Sequence, residues 1–136
     1  MNAKLKTRDI EKALYMNFFK RALECLNASK TSFSKQEWNA STINAIHSCI
    51  AACDSICVYF LGKRSAGDKH GDAVKLFKMI KNSKEIDANA SRISRILSIK
   101  NMAEYEERLV FKSESEKILK DCERLFDYVK QQLPQK

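Results

Sequence analysis

Apolar residues recur at helical spacing along most of the chain, separated by short polar stretches. Ile10, Leu14, Phe18, Ala22 and Cys25 mark one face and predict a first helix over residues 7–26. Thr7 is its expected N-cap, with Asp9 and Glu11 complementing the positive end of the helix dipole. A polar segment follows over residues 27–33. Ser34 and Glu37 have capping-box spacing and open a second helix that runs to Leu61 and stops at Gly62. This helix is apolar almost all round its second half, so it should be the most buried element. A loop over residues 62–69 leads into a third helix from Asp68 or His70 to Ile80. Val74, Leu76, Phe77 and Ile80 form its inner face, and Lys75, Lys78 and Lys81 an outward stripe. Ile86, Ala90, Ile93, Ile96 and Leu97 predict a fourth helix over residues 86–100. After a connector over residues 101–112, a second capping box, Ser113 with Glu116, opens a fifth helix. Ile118, Cys122, Leu125, Phe126, Val129 and Leu133 face inward on it, and Pro134 ends it. No internal repeat or low-complexity tract interrupts this order. The expectation is one all-α domain over residues 1–136, an up-and-down bundle of about five helices.

Composition agrees. The chain has 136 residues, 44% hydrophobic and 31% charged, with 3 Gly and 1 Pro, too few turn residues for a sheet-rich fold. A chain of this size buries about 68–70% of the surface its unfolded form exposes, enough for a core without disulfides or a structural metal. The five cysteines are odd in number, contain no C-x-x-C pair and follow a polar N-terminus unlike a signal peptide. They are expected to be reduced thiols in a cytoplasmic protein. The apolar stretch over residues 43–61 carries Asp54 near its centre. That charge would cost about 2.5–3.5 kcal/mol in a bilayer, so a buried core helix is expected rather than a membrane span.

The net charge is +8, with a pI of about 9.3. It suits a polyanionic partner. Seven basic residues lie between Lys63 and Lys84 against only Asp68 and Asp72, so most of the excess sits in one stretch.

Three groupings could carry chemistry. Cys49, Cys53 and Cys57 stand at i, i+4, i+8; two thiolates at that spacing can share a metal, but the third lies about 6 Å further along the axis, and zinc would still need a ligand from another helix. They are expected to be small core residues, with no metal site and no cofactor. His47 and Asp54 share a helix face; His47 is expected in the core. Asp54 points inward and must be paired or neutral, either to pin the loop or to support catalysis. The third grouping is the loop itself, where Arg64 and His70 are separated by five residues. Arginine offers a fixed charged fork to a phosphate, and histidine moves protons near neutral pH. Together they suit phosphodiester chemistry, with Ser65 adding a hydrogen bond. The other reading of the same residues is a glycine loop with a surface Arg and a helix-capping Asp68.

At these residues the chain resembles the HEPN superfamily of compact helical-bundle proteins. Its ribonuclease members carry an Arg and a His a few residues apart, and Arg64-Ser-Ala-Gly-Asp-Lys-His70 has that form. The stretches Ala45-Ile-His-Ser-Cys-Ile-Ala-Ala-Cys-Asp54 and Gly62-Lys-Arg-Ser-Ala-Gly-Asp-Lys-His70-Gly-Asp-Ala-Val resemble the central signature of a small stand-alone prokaryotic subgroup. Ala103-Glu-Tyr105-Glu-Glu-Arg108 is a weaker echo. The resemblance implies binding of RNA or a nucleotide, and metal-independent RNA cleavage by Arg64 and His70 with Asp54 as supporting acid. Ser65, Lys63, Lys69, Lys75, Lys78, Tyr105 and Arg108 would contact the substrate. It also implies a homodimer with two motifs facing one cleft, and a nucleotidyltransferase or antitoxin as a further partner. Ser65 stands where ribonuclease members usually carry a larger polar residue, and the alternative implied is a non-catalytic binding module.

Overall fold

The structure is a computed structural model that describes residues 5–67 and 70–134, including the backbone but not the side chain of His70. Five α-helices of nine residues or more build it: α1 (Tyr15–Ser34), α2 (Trp38–Leu61), α3 (His70–Lys78), α4 (Lys84–Ser98) and α6 (Lys112–Gln132). A six-residue helix, α5 (Lys100–Tyr105), joins the last two. Two three-residue strands, β1 (Thr7–Asp9) and β2 (Lys63–Ser65), pair antiparallel. The all-α expectation holds, with this small ladder added to it.

The central helix is α2. Ile46, Ser48, Cys49, Ala52, Cys53, Ile56 and Cys57 are all buried on it, covering every side of its axis. Among the described residues α2 is also the one helix long and apolar enough to cross a membrane, yet 67% of its apolar window is buried inside the fold. Helix α1 packs closely against it through small polar residues. Ser29 Oγ donates to the Ser41 carbonyl at 2.6 Å, Ser41 Oγ donates back to the Ser29 carbonyl at 2.9 Å, and Ser48 Oγ donates to the Ala22 carbonyl at 2.7 Å. Cys122 on α6 donates to the Ala45 carbonyl at 3.4 Å. Phe19 stacks on Phe126 and Phe77 meets Tyr128 edge to face, tying α1 and α3 to α6. All five cysteines are free thiols, four of them fully buried and Cys25 partly so.

Several boundaries differ from the sequence expectation. Thr7 caps no helix; it lies in β1 opposite Ser65, and α1 begins only at Tyr15. The segment over residues 27–33 continues α1 rather than breaking it, because buried Ser29 finds its partner on α2. Ser34 therefore ends α1, donating to the Thr31 carbonyl, and makes no capping box; Gln36 turns the chain with φ 64°. The loop after Gly62 contains β2, and Lys81 falls beyond the end of α3, so only Lys75 and Lys78 share its exposed face. The connector after α4 holds α5. At the start of α6 only one half of a box forms, two residues earlier than expected: the Glu114 carboxylate, not Glu116, accepts from the backbone N–H of Phe111, whose side chain has no acceptor to offer in return. Where capping residues fit their roles the structure follows them, as at Ser83, whose hydroxyl accepts from Ile86 N–H at the start of α4.

Gly62 does end α2. Its φ of 69° and ψ of 20° lie in the left-handed region, and its N–H reaches the Val58 carbonyl. Its own carbonyl accepts from Ile10 N–H, and Ala66 N–H donates to the Lys6 carbonyl, so the ladder is fastened at both ends. A Cβ at Gly62 would meet nothing within 4 Å. Gly62→Ala should therefore cost about 1 kcal/mol from backbone strain alone, read as a lower urea midpoint with an unchanged m-value. A loss below about 0.3 kcal/mol would contradict this account of the turn.

Candidate anion-binding site

The reversal at Gly62 delivers Arg64 over the C-terminal half of α2. Asp54 lies two turns before that helix ends, and its side chain is only 11% exposed. Burial on α2 pushes its carboxyl up to about 6, and the charges of Arg64 and Arg21 only partly offset this. The two groups do not form a tight pair: Arg64 Nη1 stands 3.8 Å from Asp54 Oδ2, too far for a hydrogen bond. The guanidinium rests over the Phe18 ring at 5.7 Å, with Arg21 over the same ring at 5.6 Å. Its Nε is buried and has no hydrogen-bond partner among the described residues. An N–H donor in that state is costly unless a group beyond the described residues accepts from it.

Arg64 borders a cavity of about 340 Å³ between α2, α3 and α4. Cys49, Ile50, Ile93 and Leu97 give it apolar walls; Asp54, Arg64, Ser65 and Lys100 are its polar groups. Lys100 reaches it from the start of α5, where Glu104 holds its ammonium at 3.1 Å. On the ladder Arg64 lies directly opposite Arg8, so both side chains leave the same face. Two like charges placed there repel each other and favour an anion between them.

The site residues expected from sequence divide accordingly. Asp54, Arg64 and Ser65 share the cavity. Helix α3 starts at His70, six residues beyond Arg64, but the His70 side chain lies outside the described part, as do Asp68 and Lys69. Lys63 stands on β2 opposite Asp9 and does not line the cavity; Lys75 and Lys78 are exposed on α3. Tyr105 is 75% exposed at the end of α5, where its ring lies 5.8 Å from the Lys100 ammonium. Arg108 is not brought to the cavity. It forms a two-pronged pair with Glu114 at 2.9 and 2.7 Å and lines a separate groove with Arg95 and Asp121, on the other side of α4. That pair and the Phe111 N–H hold Glu114 at about 2, well below the usual carboxylate range. His47 is not a core residue: its side chain is 53% exposed and lies 3.5 Å from Glu104. Sequence reasoning missed Arg8 and Lys100. A strand pairing across more than fifty residues leaves no local signal for the first, and the second sat at the assumed end of a helix.

Two comparisons bear on the chain. The HEPN domain model matches residues 15–132, a span that includes Arg64, His70 and every helix from α1 to α6. No curated protein matches.

The Asp54 carboxyl has a sign that can be tested. Its folded value of about 6 lies above the ordinary value near 3.9, so the folded state holds the proton more tightly. The stability this confers is present below pH 4 and is lost as pH rises through about 6. Asp54→Asn removes that loss. The variant should match the parent below pH 4 and exceed it at pH 7.5 by about 1–3 kcal/mol, a shift of about two pKa units setting the upper figure. Urea unfolding across pH 4–8 measures it. A variant less stable than the parent at pH 7.5 would show that the Asp54–Arg64 pair holds the loop.

Proposed function

The chain belongs to the HEPN domain family, a class of RNA-related or nucleotide-binding modules, and from that membership we propose that it binds RNA around Arg64 and cuts it without a metal. The observation that carries this reading is the state of Arg64. Its guanidinium is held by the ladder, by Phe18 and by the cavity wall, yet its buried Nε donates to nothing described. A phosphate oxygen is the acceptor such a fork fits best. Arg8 opposite it on the ladder and Lys100 across the cavity add positive charge, and Lys75 and Lys78 are exposed on α3.

In cleavage the ribose 2′-oxygen attacks phosphorus and the bond to the 5′-oxygen breaks, leaving a 2′,3′-cyclic phosphate and a 5′-hydroxyl. One imidazole takes the 2′-hydroxyl proton and a second supplies a proton to the leaving oxygen. A homodimer with two motifs at one cleft would provide both His70 side chains. Arg64 would stabilise the charge that grows on the non-bridging oxygens.

A second reading is a non-catalytic module that partners a nucleotidyltransferase, an antitoxin or another protein. One observation favours it: Arg64 is on a strand and His70 opens a helix, so the motif spans two elements instead of one helical face.

The test is purified protein with labelled single-stranded RNA and EDTA. Arg64→Ala should weaken binding at least about tenfold, because the lost contact is charge-assisted. Binding should fall with salt at a log–log slope of about −2 if three cations meet phosphates. His70→Ala should bind like the parent and cut at least about 100-fold more slowly. Equal cutting by His70→Ala and the parent would rule out the catalytic assignment. A parent that binds but does not cut would establish the second reading.

A further inference from the structure

The cavity is more than a place for a phosphate. Its walls are aliphatic and thiol side chains, and it exists because Cys49, Cys53 and Ala73 are small where α2, α3 and α4 meet. At about 340 Å³ it lies at the lower end of the roughly 300–1,000 Å³ range of small-molecule pockets, room for one ring system and not a run of nucleotides. A polyanion's backbone gains nothing from apolar walls; a flat heterocycle does. We infer that this cavity is a base subsite for guanine, read by the Asp54 carboxylate. The inference rests on the nucleotide-binding reading above and names the part of the ligand that reading leaves open.

Asp54 makes the choice of base. It lines the cavity, accepts no hydrogen bond from any described residue, and meets Arg64 only at 3.8 Å, so both its oxygens keep lone pairs for an occupant. An ionised carboxylate is acceptor-only and bidentate. It therefore wants two donors side by side on one edge. Guanine presents N1–H and the N2 amine together. Adenine and cytosine each place a ring-nitrogen acceptor beside their amine, and uracil flanks its one N–H with two carbonyl oxygens, all of which a carboxylate repels. The Cys49 thiol is pushed up by burial, and the Cys53 thiol by its hydrogen bond with Cys57 and by burial, so both stay neutral and line the wall without competing for charge.

The experiment titrates the full chain with 5′-GMP, 5′-IMP and 5′-AMP by calorimetry. In parallel it measures binding of oligouridylate with and without one central guanosine. GMP should bind about tenfold more tightly than IMP, which lacks the amine, and by at least that margin over AMP. The guanosine-bearing oligomer should show the same preference. Asp54→Asn should bring GMP, IMP and AMP to within about threefold of each other. Ala73→Leu, which fills the cavity from α3, should do likewise in a protein shown by its far-ultraviolet spectrum to be folded. Equal affinities for the three nucleotides, or a guanine preference that survives both substitutions, overturns the subsite. If no oligomer binds while GMP still does so with these preferences, RNA binding fails and the subsite stands. If oligomers bind through Arg64 without regard to guanosine, the subsite fails and RNA binding stands.

Discussion

A helix enclosed on every side has no face left to turn toward water, and α2 is enclosed in this way from Ser48 to Val58. Each polar group on it must find a partner inside the protein or carry the cost of going without. Ser41 and Ser48 meet that demand through carbonyls of α1, and Ser55 through the Ala52 carbonyl one turn back. Asp54 does not. It has a guanidinium nearby and no hydrogen bond among the described residues, so its charge is partly compensated and poorly solvated. The constraint that makes α2 a good core makes Asp54 an expensive residue to keep there. An expensive residue beside a guanidinium whose Nε has no partner among the described residues, at an open cavity, is the arrangement a binding site produces.

The remaining elements can be understood by how they serve that end of α2. Gly62 reverses the chain, β1 holds β2 in register, and Phe18 supports the guanidinium from α1. Helices α3 and α4 supply two cavity walls, and the α4–α5 junction contributes Lys100. Helix α6 covers the rest of the core through Phe126, Val129 and Leu125, away from the cavity. Its second arginine–carboxylate pair, Arg95 with Asp121, is bidentate at 2.9 and 3.0 Å. The contrast with the looser Asp54–Arg64 pair separates an ion pair that locks two helices from one that leaves its groups available.

Helix order and the buried faces of the later helices were legible in the sequence because periodicity reports burial directly; on α1 only Ala22 of the expected face is buried, beside Tyr15, Leu26 and Ser29, and Leu14 is exposed. Ile93, Leu97, Phe77, Cys122 and Leu125 all face inward as their spacing requires. The errors cluster where a local signal competed with a tertiary one. Ser34 and Glu37 have the spacing of a capping box, but the preceding turn of α1 is held by Ser29 against α2, so the helix runs past the signal. Thr7 looked like a cap because the strand that pairs with it lies more than fifty residues away. Asp54, Arg64 and Ser65 could be named from sequence, since an acid in an apolar helix and an arginine after a helix-ending glycine stand out locally. Lys100 and Arg8 could not, because only the packing of α5 and the register of the ladder bring them near. His47 misled for the opposite reason: its neighbours on α2 are buried, and the helix exposes that position and, near its end, Phe60.

The three serine bridges between α1 and α2 have an effect on how the molecule can deform. Each hydroxyl binds a main-chain carbonyl of the facing helix in a dry crossing, so sliding one helix along the other would break several bonds with no water to replace them. These two helices form an unyielding half. The cavity's opposite walls come from α3 and α4, which meet α2 there through alanine, isoleucine and leucine side chains, with one weak thiol contact from Cys53 Sγ to the Ala73 carbonyl at 4.0 Å. Any breathing that admits a guest must therefore be a shift of α3 and α4 against a stationary floor. The carboxylate keeps its position while the walls around it give way.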